Sequence, residues 1–532
     1  MTDTDVIVIG AGFAGLYAVH RAVRAGFATL GIEAAPGVGG TWYWNRYPGA
    51  RCDVESVDYS YSFDDELQQR WTWTERYASQ PEILAYLDHV ADRLDIGRHY
   101  VFETDVTAAV FAADDGRWQV QTSTGATHRA TYLVCATGCL SALNRPDLPG
   151  LSDFAGEVYY TAAWPHADPD LRGKRVGLVG TGSSGIQATP LIAAQADSLV
   201  VFQRSPNYTV PMPNRPWSPE DLQRIRQEYP RRREVSAYAS AGTPHGTYHK
   251  NAVDTDPDER STALWQRWSQ GGVLFAKTFP DQNTNLAAND IAREFVEARI
   301  REIVTDPVVA KDLIPGDHPI GTKRICTDDG YYATFNRDDV TLVNLRREPI
   351  DSVTATAVRT TETTYPCDVL IFATGFDAMT GALTRIDPVG PGGDRLTGLW
   401  GDGPVTFLGL MVPRLPNLFT ISGPGSPSVL ANMVLHAEVQ VDWVIDLITA
   451  ARDRGITEVE PRRDAARAWT DHVAEVAEAT LFPQARSSWY LGANIEGKKR
   501  VFMPYVGGFG TYRTHCDDVA ARGYADLVLT TR

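Results

Sequence analysis

The sequence predicts an α/β fold built from two Rossmann-type dinucleotide-binding domains, with a helical insertion in the second. Three observations predict it. A glycine-rich strand-to-helix turn lies at residues 5–15, the same grammar repeats at 175–185, and a helix-patterned stretch runs from 218 to 312 before apolar strands resume. With 532 residues, the chain is long enough for several domains of roughly 150 residues each and buries large cores without staples.

In the first unit the apolar run Val6 to Ile9 reads as a buried strand, and Gly10, Gly12 and Gly15, with Phe13 and Ala14 between them, open a helix striped by Leu16, Val19 and Val23. Gly10 permits the tight turn, Gly12 lets the backbone approach a pyrophosphate, and Gly15 lets helix pack on strand. The helix N-terminus favours phosphate. Glu33 follows Gly15 by 18 positions at the end of the next strand, where a carboxylate accepts from a ribose hydroxyl.

The grammar recurs at Arg175–Gly180 and Thr181, Gly182, Ser183, Ser184 and Gly185, followed by a helix and the strand Leu199–Arg204. Here the strand ends on Arg204, 19 residues after Gly185, and a guanidinium suits a 2′-phosphate that a carboxylate would repel. The alternative is a surface arginine. Two such units suggest FAD in the first and NADPH in the second. The strand ends Ala136-Thr137-Gly138 and Ala373-Thr374-Gly375 fit places where the chain passes between the domains, and no C-x-x-C offers dithiol exchange.

Ser218 followed by Pro219 is a helix start, and Phe295, Val296, Ile300 and Ile303 form one helical face. Strands resume at Val340 and Val369. The remainder, with a strand at Leu418 and a helix around 431–449, returns to the first domain. The expected division is 1–145 and 379–532 for the FAD domain, 146–217 and 326–378 for the NADP domain, and 218–325 for the insertion.

Fifty Lys and Arg against 66 Asp and Glu leave a net charge of −16, which disfavours nucleic acid and anionic membrane surfaces. The one basic run, Arg231-Arg232-Arg233, reads as a solvated helix face. Six scattered cysteines read as reduced thiols. No signal peptide and no apolar run near the roughly 18 residues of a membrane span is found, so a soluble cytoplasmic protein, a monomer without metal, is expected.

At this point the chain resembles the type I flavin-containing Baeyer–Villiger monooxygenases, most of all the phenylacetone and steroid monooxygenase branch. The motifs are Gly39 to Gly49 (GGTWYWNRYPG), Gly321 to Arg324 (GTKR), Ala373 to Asp377 (ATGFD), Gly423 to Pro427 (GPGSP) and Ser488 to Asn494 (SWYLGAN). The family fingerprint F-x-G-x-x-x-H-x-x-x-W-[PD] reads here as Phe154, Gly156, Tyr160, Trp164 and Pro165, with tyrosine in place of histidine. A phenol with pKa near 10 offers no cation at neutral pH, so a role needing an imidazolium is in doubt, while an interdomain hydrogen bond or simple packing could survive.

The resemblance implies that NADPH reduces the flavin, O2 adds at its C4a carbon, and the peroxide attacks a ketone to give an ester or lactone. Arg324 would stabilise the peroxide and the adduct oxyanion, with Asp53 as its partner. It also places Gly40, Thr41, Trp42 and Tyr59 in the flavin site, Lys323 beside Arg204 on the 2′-phosphate, Trp489 against the nicotinamide cofactor, and Ser428, Val429 and Leu430 in the substrate-pocket loop. Trp489 can equally be core, Lys323 a solvated lysine and Asp53 a turn residue. Two other activities stay open: oxygenation of nitrogen or sulfur, and uncoupled NADPH oxidation by a flavin-binding protein.

Overall fold

The computed structural model describes residues 2–531. The strand Thr2–Ile9 has Thr29–Ile32 and then Tyr100–Val101 on one side and Thr127–Cys135 on the other, all parallel. The outer edge of Thr127–Cys135 is shared. Its first part pairs antiparallel with Arg117–Thr122, which continues to Val106–Ala112, and its last part pairs parallel with Leu418–Thr420. The late segment therefore does return to the first unit. Val6, Ile7 and Val8 are all fully buried, as an unbroken apolar strand must be when both faces of its sheet are covered. One face packs under the helices Phe13–Arg24 and Met433–Asp453, and the other meets Phe111, Trp118 and Leu415.

The second sheet is five-stranded and parallel, in the order Val340–Asn344, Ser198–Gln203, Arg175–Val179, Val369–Phe372, Glu157–Tyr160. Between its third and fourth strands in the chain come the helices Pro219–Tyr238, Pro257–Gln270, Leu286–Ile303 and Pro307–Leu313. The Ser218 hydroxyl caps the first by accepting from the Asp221 amide. Val296 and Ile300 are fully buried in the same core as Ile186 and Val201, so the insertion packs onto the second unit. At its base Thr209–Pro211 and Cys326–Asp328 run side by side as a parallel pair.

The arginine run departs from expectation. Only Arg231 is exposed. Arg232 donates to Asp58 at 2.7 Å and to Glu55, while Arg233 donates to Ser60, to Gln68 and to the carbonyls of Val57, Asp58 and Tyr61. Two of the three cations thus pin the insertion's first helix to the first unit, because the carboxylates and carbonyls they meet sit in a buried loop.

The two units share one device at their turns. Gly10 (φ +106°) and Gly180 (φ +113°) adopt backbone angles that disfavour L side chains, and a Cβ on either would lie 2.5 Å from the carbonyl oxygen of Ala136 or Ala373. Each Ala-Thr-Gly strand end therefore lies directly against a nucleotide turn. All six cysteines are free and buried. Among the described residues no helix is long and apolar enough to cross a membrane.

Tyr160 ends the strand that edges the second sheet. Its ring stacks on Phe372 at 5.4 Å, and the Arg145 guanidinium sits over it at 4.9 Å. Among the described residues its hydroxyl makes no hydrogen bond, so the contact is packing and cation–π attraction. Tyr160→Phe keeps both and should leave stability unchanged to within about 0.5 kcal/mol, whereas Tyr160→Ala should cost about 1–3 kcal/mol. Denaturant unfolding of the two variants checks this, and equal losses would show that the phenol itself carries the contact.

Candidate active site

Both glycine turns lead into helices whose first amides are unclaimed. Phe13–Arg24 and Ser183–Ala193 start at Gly12 and Gly182 with no side-chain cap and no acid in the first turn. A Cβ at Gly182 would meet nothing within 4 Å, and Gly12 faces the Cα of Gly40. Such open, positively polarised helix ends fit a dinucleotide pyrophosphate. Gly15 and Gly185 have no room for a side chain, their Cβ positions falling 1.8 and 2.1 Å from the carbonyl oxygens of Gly10 and Gly180.

Around the first turn, the Phe13 ring meets Tyr59 edge-on, and the Trp42 indole, one residue after Thr41, donates to the Tyr59 hydroxyl at 3.2 Å. Ala14 packs on the same core. Glu33 is buried, and its two carboxylate oxygens accept from the amides of Ala11 and Ala35 at 2.6 and 2.8 Å. Burial raises its pKa while these amides oppose the shift. It braces the turn and still has lone pairs for a hydroxyl.

In the second unit Thr181 donates to the Ser205 carbonyl at 3.0 Å, Ser183 meets the Cys326 thiol at 3.3 Å, and Ser184 meets the Tyr47 hydroxyl. Arg204 is exposed at its strand end, and Lys323 is half-buried beside it. Burial lowers the Lys323 pKa, and Arg346 and Arg204 push it the same way against the pull of Asp317. Arg346, unsignalled in the sequence, joins them by donating to Ser205 and Asp317. Three cations here meet one carboxylate, Asp317, and the positive charge left over fits a phosphate.

Arg324 and Asp53 come from positions 271 residues apart and form a two-pronged ion pair, with the Arg324 Nη2 at 2.6 Å from Asp53 Oδ1 and Nε at 3.1 Å from Oδ2. The remaining Nη1 donates to the Val429 carbonyl at 2.6 Å. Burial disfavours the cation, but Asp53 overcomes this and raises the Arg324 pKa further. The loop Ser428–Leu430 is thus brought to Arg324 through a backbone oxygen. Ser428 is buried with φ +45°, and its hydroxyl points at the Met379 sulfur.

The pair opens on a cavity of about 350 Å³ lined from the first unit, the insertion and the C-terminal segment, including Leu430 and Tyr490. Sequence reasoning missed Tyr490. Buried next to Trp489, its phenol lies beside Arg324, and burial raises its pKa. Trp489 is half-buried and packs edge-on against Tyr490 at 4.4 Å, in a cluster with Val429, Phe482 and Met503. The fingerprint residues lie apart from the cavity. Phe154 packs beside Tyr160, Gly156 has the Asp368 carbonyl 2.2 Å from where a Cβ would sit, and Trp164, next to Pro165, donates to Asp168 at 3.2 Å. The structure also gathers Glu55, Asp58 and His245, but Arg232 bonds both acids and Arg76 bonds Glu55, so the charge that would draw a metal ion is already met.

Two nucleotide cradles and a paired arginine at a cavity define a flavin- and nicotinamide-type oxidoreductase. The profile described as "Pyridine nucleotide-disulphide oxidoreductase" matches residues 7–262. A Baeyer–Villiger monooxygenase of Pseudooceanicola batsensis is 41% identical over 99% of this chain and 96% of its own. The 2-oxo-Δ3-4,5,5-trimethylcyclopentenylacetyl-CoA monooxygenase of Pseudomonas putida is 39% identical over 98% and 97%. A solved steroid monooxygenase bound to NADP is 51% identical and superposes with a TM-score of 0.96 over all of both chains. The chain belongs to the Baeyer–Villiger monooxygenase family.

Removing Asp53 should leave a mostly buried guanidinium without its partner. Asp53→Ala should unfold at a lower temperature, with a loss of about 3 kcal/mol, and Asp53→Glu should recover part of it. Calorimetry checks both, and an unchanged midpoint for Asp53→Ala would contradict the pairing.

Proposed function

We propose that this protein oxidises a ketone to an ester or lactone with NADPH and O2, holding FAD at the first nucleotide turn and NADPH at the second. The observation that carries the reading is the Arg324 guanidinium, oriented by Asp53 and Val429 and lining the cavity. Family membership supports the same reaction.

Bound FAD, once reduced by NADPH, supplies the activation of O2. The rest falls to the chain. The uncapped first turns at Gly12 and Gly182 hold the two pyrophosphates, Glu33 takes a ribose hydroxyl, and Arg204 with Lys323 takes the 2′-phosphate. Gly40, Thr41, Trp42 and Tyr59 would help hold the flavin. Arg324 binds the oxygen on which negative charge develops, and because it stays protonated at any working pH it gives that charge a fixed partner. Asp53 positions it, since its two oxygens leave the guanidinium one orientation. Trp489 would pack against the nicotinamide cofactor, and Ser428, Val429 and Leu430 would set the room for the ketone. Tyr160 is a packing residue between the domains.

The domain division given by the sequence goes with this reading: 1–145 with 379–532 for FAD, 146–217 with 326–378 for NADP, and 218–325 as the insertion. So does a cytoplasmic monomer, on the net charge of −16 and the free thiols.

Supplying phenylacetone, air and either coenzyme tests the proposal. Ester should form, with kcat/KM for NADPH at least about tenfold above that for NADH, and Arg204→Ala should narrow the gap through a higher KM for NADPH. Mass analysis of the product with coenzyme consumption reads this. NADPH oxidised without oxygenated product would refute the ketone reading, and equal rates with both coenzymes would refute the phosphate site.

A further inference from the structure

The cavity beside Arg324 holds a further cation, Lys277, that no carboxylate among the described residues neutralises. Lys277, in the short helical turn Val273–Lys277 of the insertion, lines the same cavity as Arg324 and is half-buried. Its ammonium donates to the Ser240 hydroxyl at 3.1 Å, and among the described residues it has no ion pair with a carboxylate. Arg267 lines the cavity too, bonded to the Gly246 carbonyl at 2.6 Å and likewise without an acidic partner. The other charged groups at this cavity are accounted for. Arg324 is held by Asp53, and Glu55, Asp58, Arg76 and Arg232 satisfy one another, with His245 3.8 Å from Glu55.

The surplus is therefore positive and lies on the insertion's side of the cavity. In the same cavity the Thr243 hydroxyl is buried and, among the described residues, has no hydrogen-bond partner. A half-buried cation with no counter-charge and a buried hydroxyl with no acceptor carry a desolvation penalty that an incoming anion removes. Burial, with Arg324 adding to it, brings the Lys277 pKa down to about 8, as expected of an ammonium that lacks a counter-charge and would be restored by one.

We propose that the substrate is an oxo acid, a ketone carrying a carboxylate, and that Lys277 binds the carboxylate, helped by Thr243, while the carbonyl faces Arg324. This rests on the ketone oxidation proposed above. Lys277 is then a specificity residue and takes no part in the chemistry. A single carboxylate near Lys277 and a carbonyl near Arg324 give the substrate two fixed points, which orients it for attack in a way an apolar ketone in the same cavity would not be.

The test compares (2-oxocyclohexyl)acetate with its methyl ester, two ketones that differ in the negative charge and one methyl group, using the FAD-loaded enzyme and Lys277→Gln. Turnover is read by mass analysis and binding by calorimetric titration. The wild type should prefer the acid by at least about tenfold in kcat/KM, mainly through KM, and bind it at least about tenfold more tightly, and Lys277→Gln should bring both ratios close to one. Equal affinity for acid and ester in the wild type, no binding of the acid, or a ratio untouched in Lys277→Gln would overturn the proposal. So would a raised KM for NADPH in Lys277→Gln with the acid preference intact, because the ammonium would then serve the nucleotide. Acid-selective binding with no oxygenated product from either ketone would keep the anion site and instead refute the ketone oxidation.

Discussion

One guanidinium joins three parts of this chain. Arg324 lies just past the insertion's last helix, Asp53 belongs to the first nucleotide unit, and Val429 belongs to the segment that returns to complete that unit. A mostly buried cation is tolerable only where its donors are all met, so its presence at the cavity requires each of these segments to sit where it does. Arg232 and Arg233 do comparable work nearby, tying the insertion's first helix to the loop that carries Asp58. Charge-assisted bonds thus fix the charged part of the cavity wall, beside apolar residues such as Leu274, Leu430 and Phe482.

The two nucleotide units supply the frame. Each sets a strained glycine against an Ala-Thr-Gly strand end, and each leaves the first turn of its helix uncapped. A side chain at Gly10 or Gly180 would collide with backbone, and the N-cap positions Gly12 and Gly182 have no side chain to cover the first amides. On the reading proposed above, phosphate binding would rest on the backbone, and the acid at Glu33 and the cations at Arg204, Lys323 and Arg346 would decide only what decorates the ribose.

Much of this is legible in the order of the amino acids, and the reason differs from part to part. The nucleotide units show in local order, since strand, glycines, helix and final charged residue lie within about 30 residues of one another. The insertion shows through its capping serine and its helical stripe. Arg324 and Asp53 emerge only through family motifs, because residues 271 positions apart carry no local sign of touching. The fate of Arg232 and Arg233 is hidden for the same reason: a basic run on a helix looks solvated until the acids and carbonyls it meets are brought from elsewhere. Lys277 stands in no pattern, and Tyr490, though inside the Ser488 to Asn494 motif, carries no local sign of its place beside Arg324; what distinguishes them is the lack or presence of a partner across a cavity. Tyr160 is a middle case. Its departure from the fingerprint is plain in the sequence, while its seat between Phe372 and Arg145 is not.

The central claim is that a fixed positive charge at position 324 serves the oxygenation and not the reduction. Rapid mixing of the FAD-loaded Arg324→Ala enzyme with NADPH, followed by ester analysis after addition of air and ketone, separates the two half-reactions. Reduction of the flavin should proceed, while ester should fall by about 10²-fold or more, as when other stabilisers of developing oxyanion charge are removed. Ester formed by Arg324→Ala at close to the wild-type rate would contradict the account.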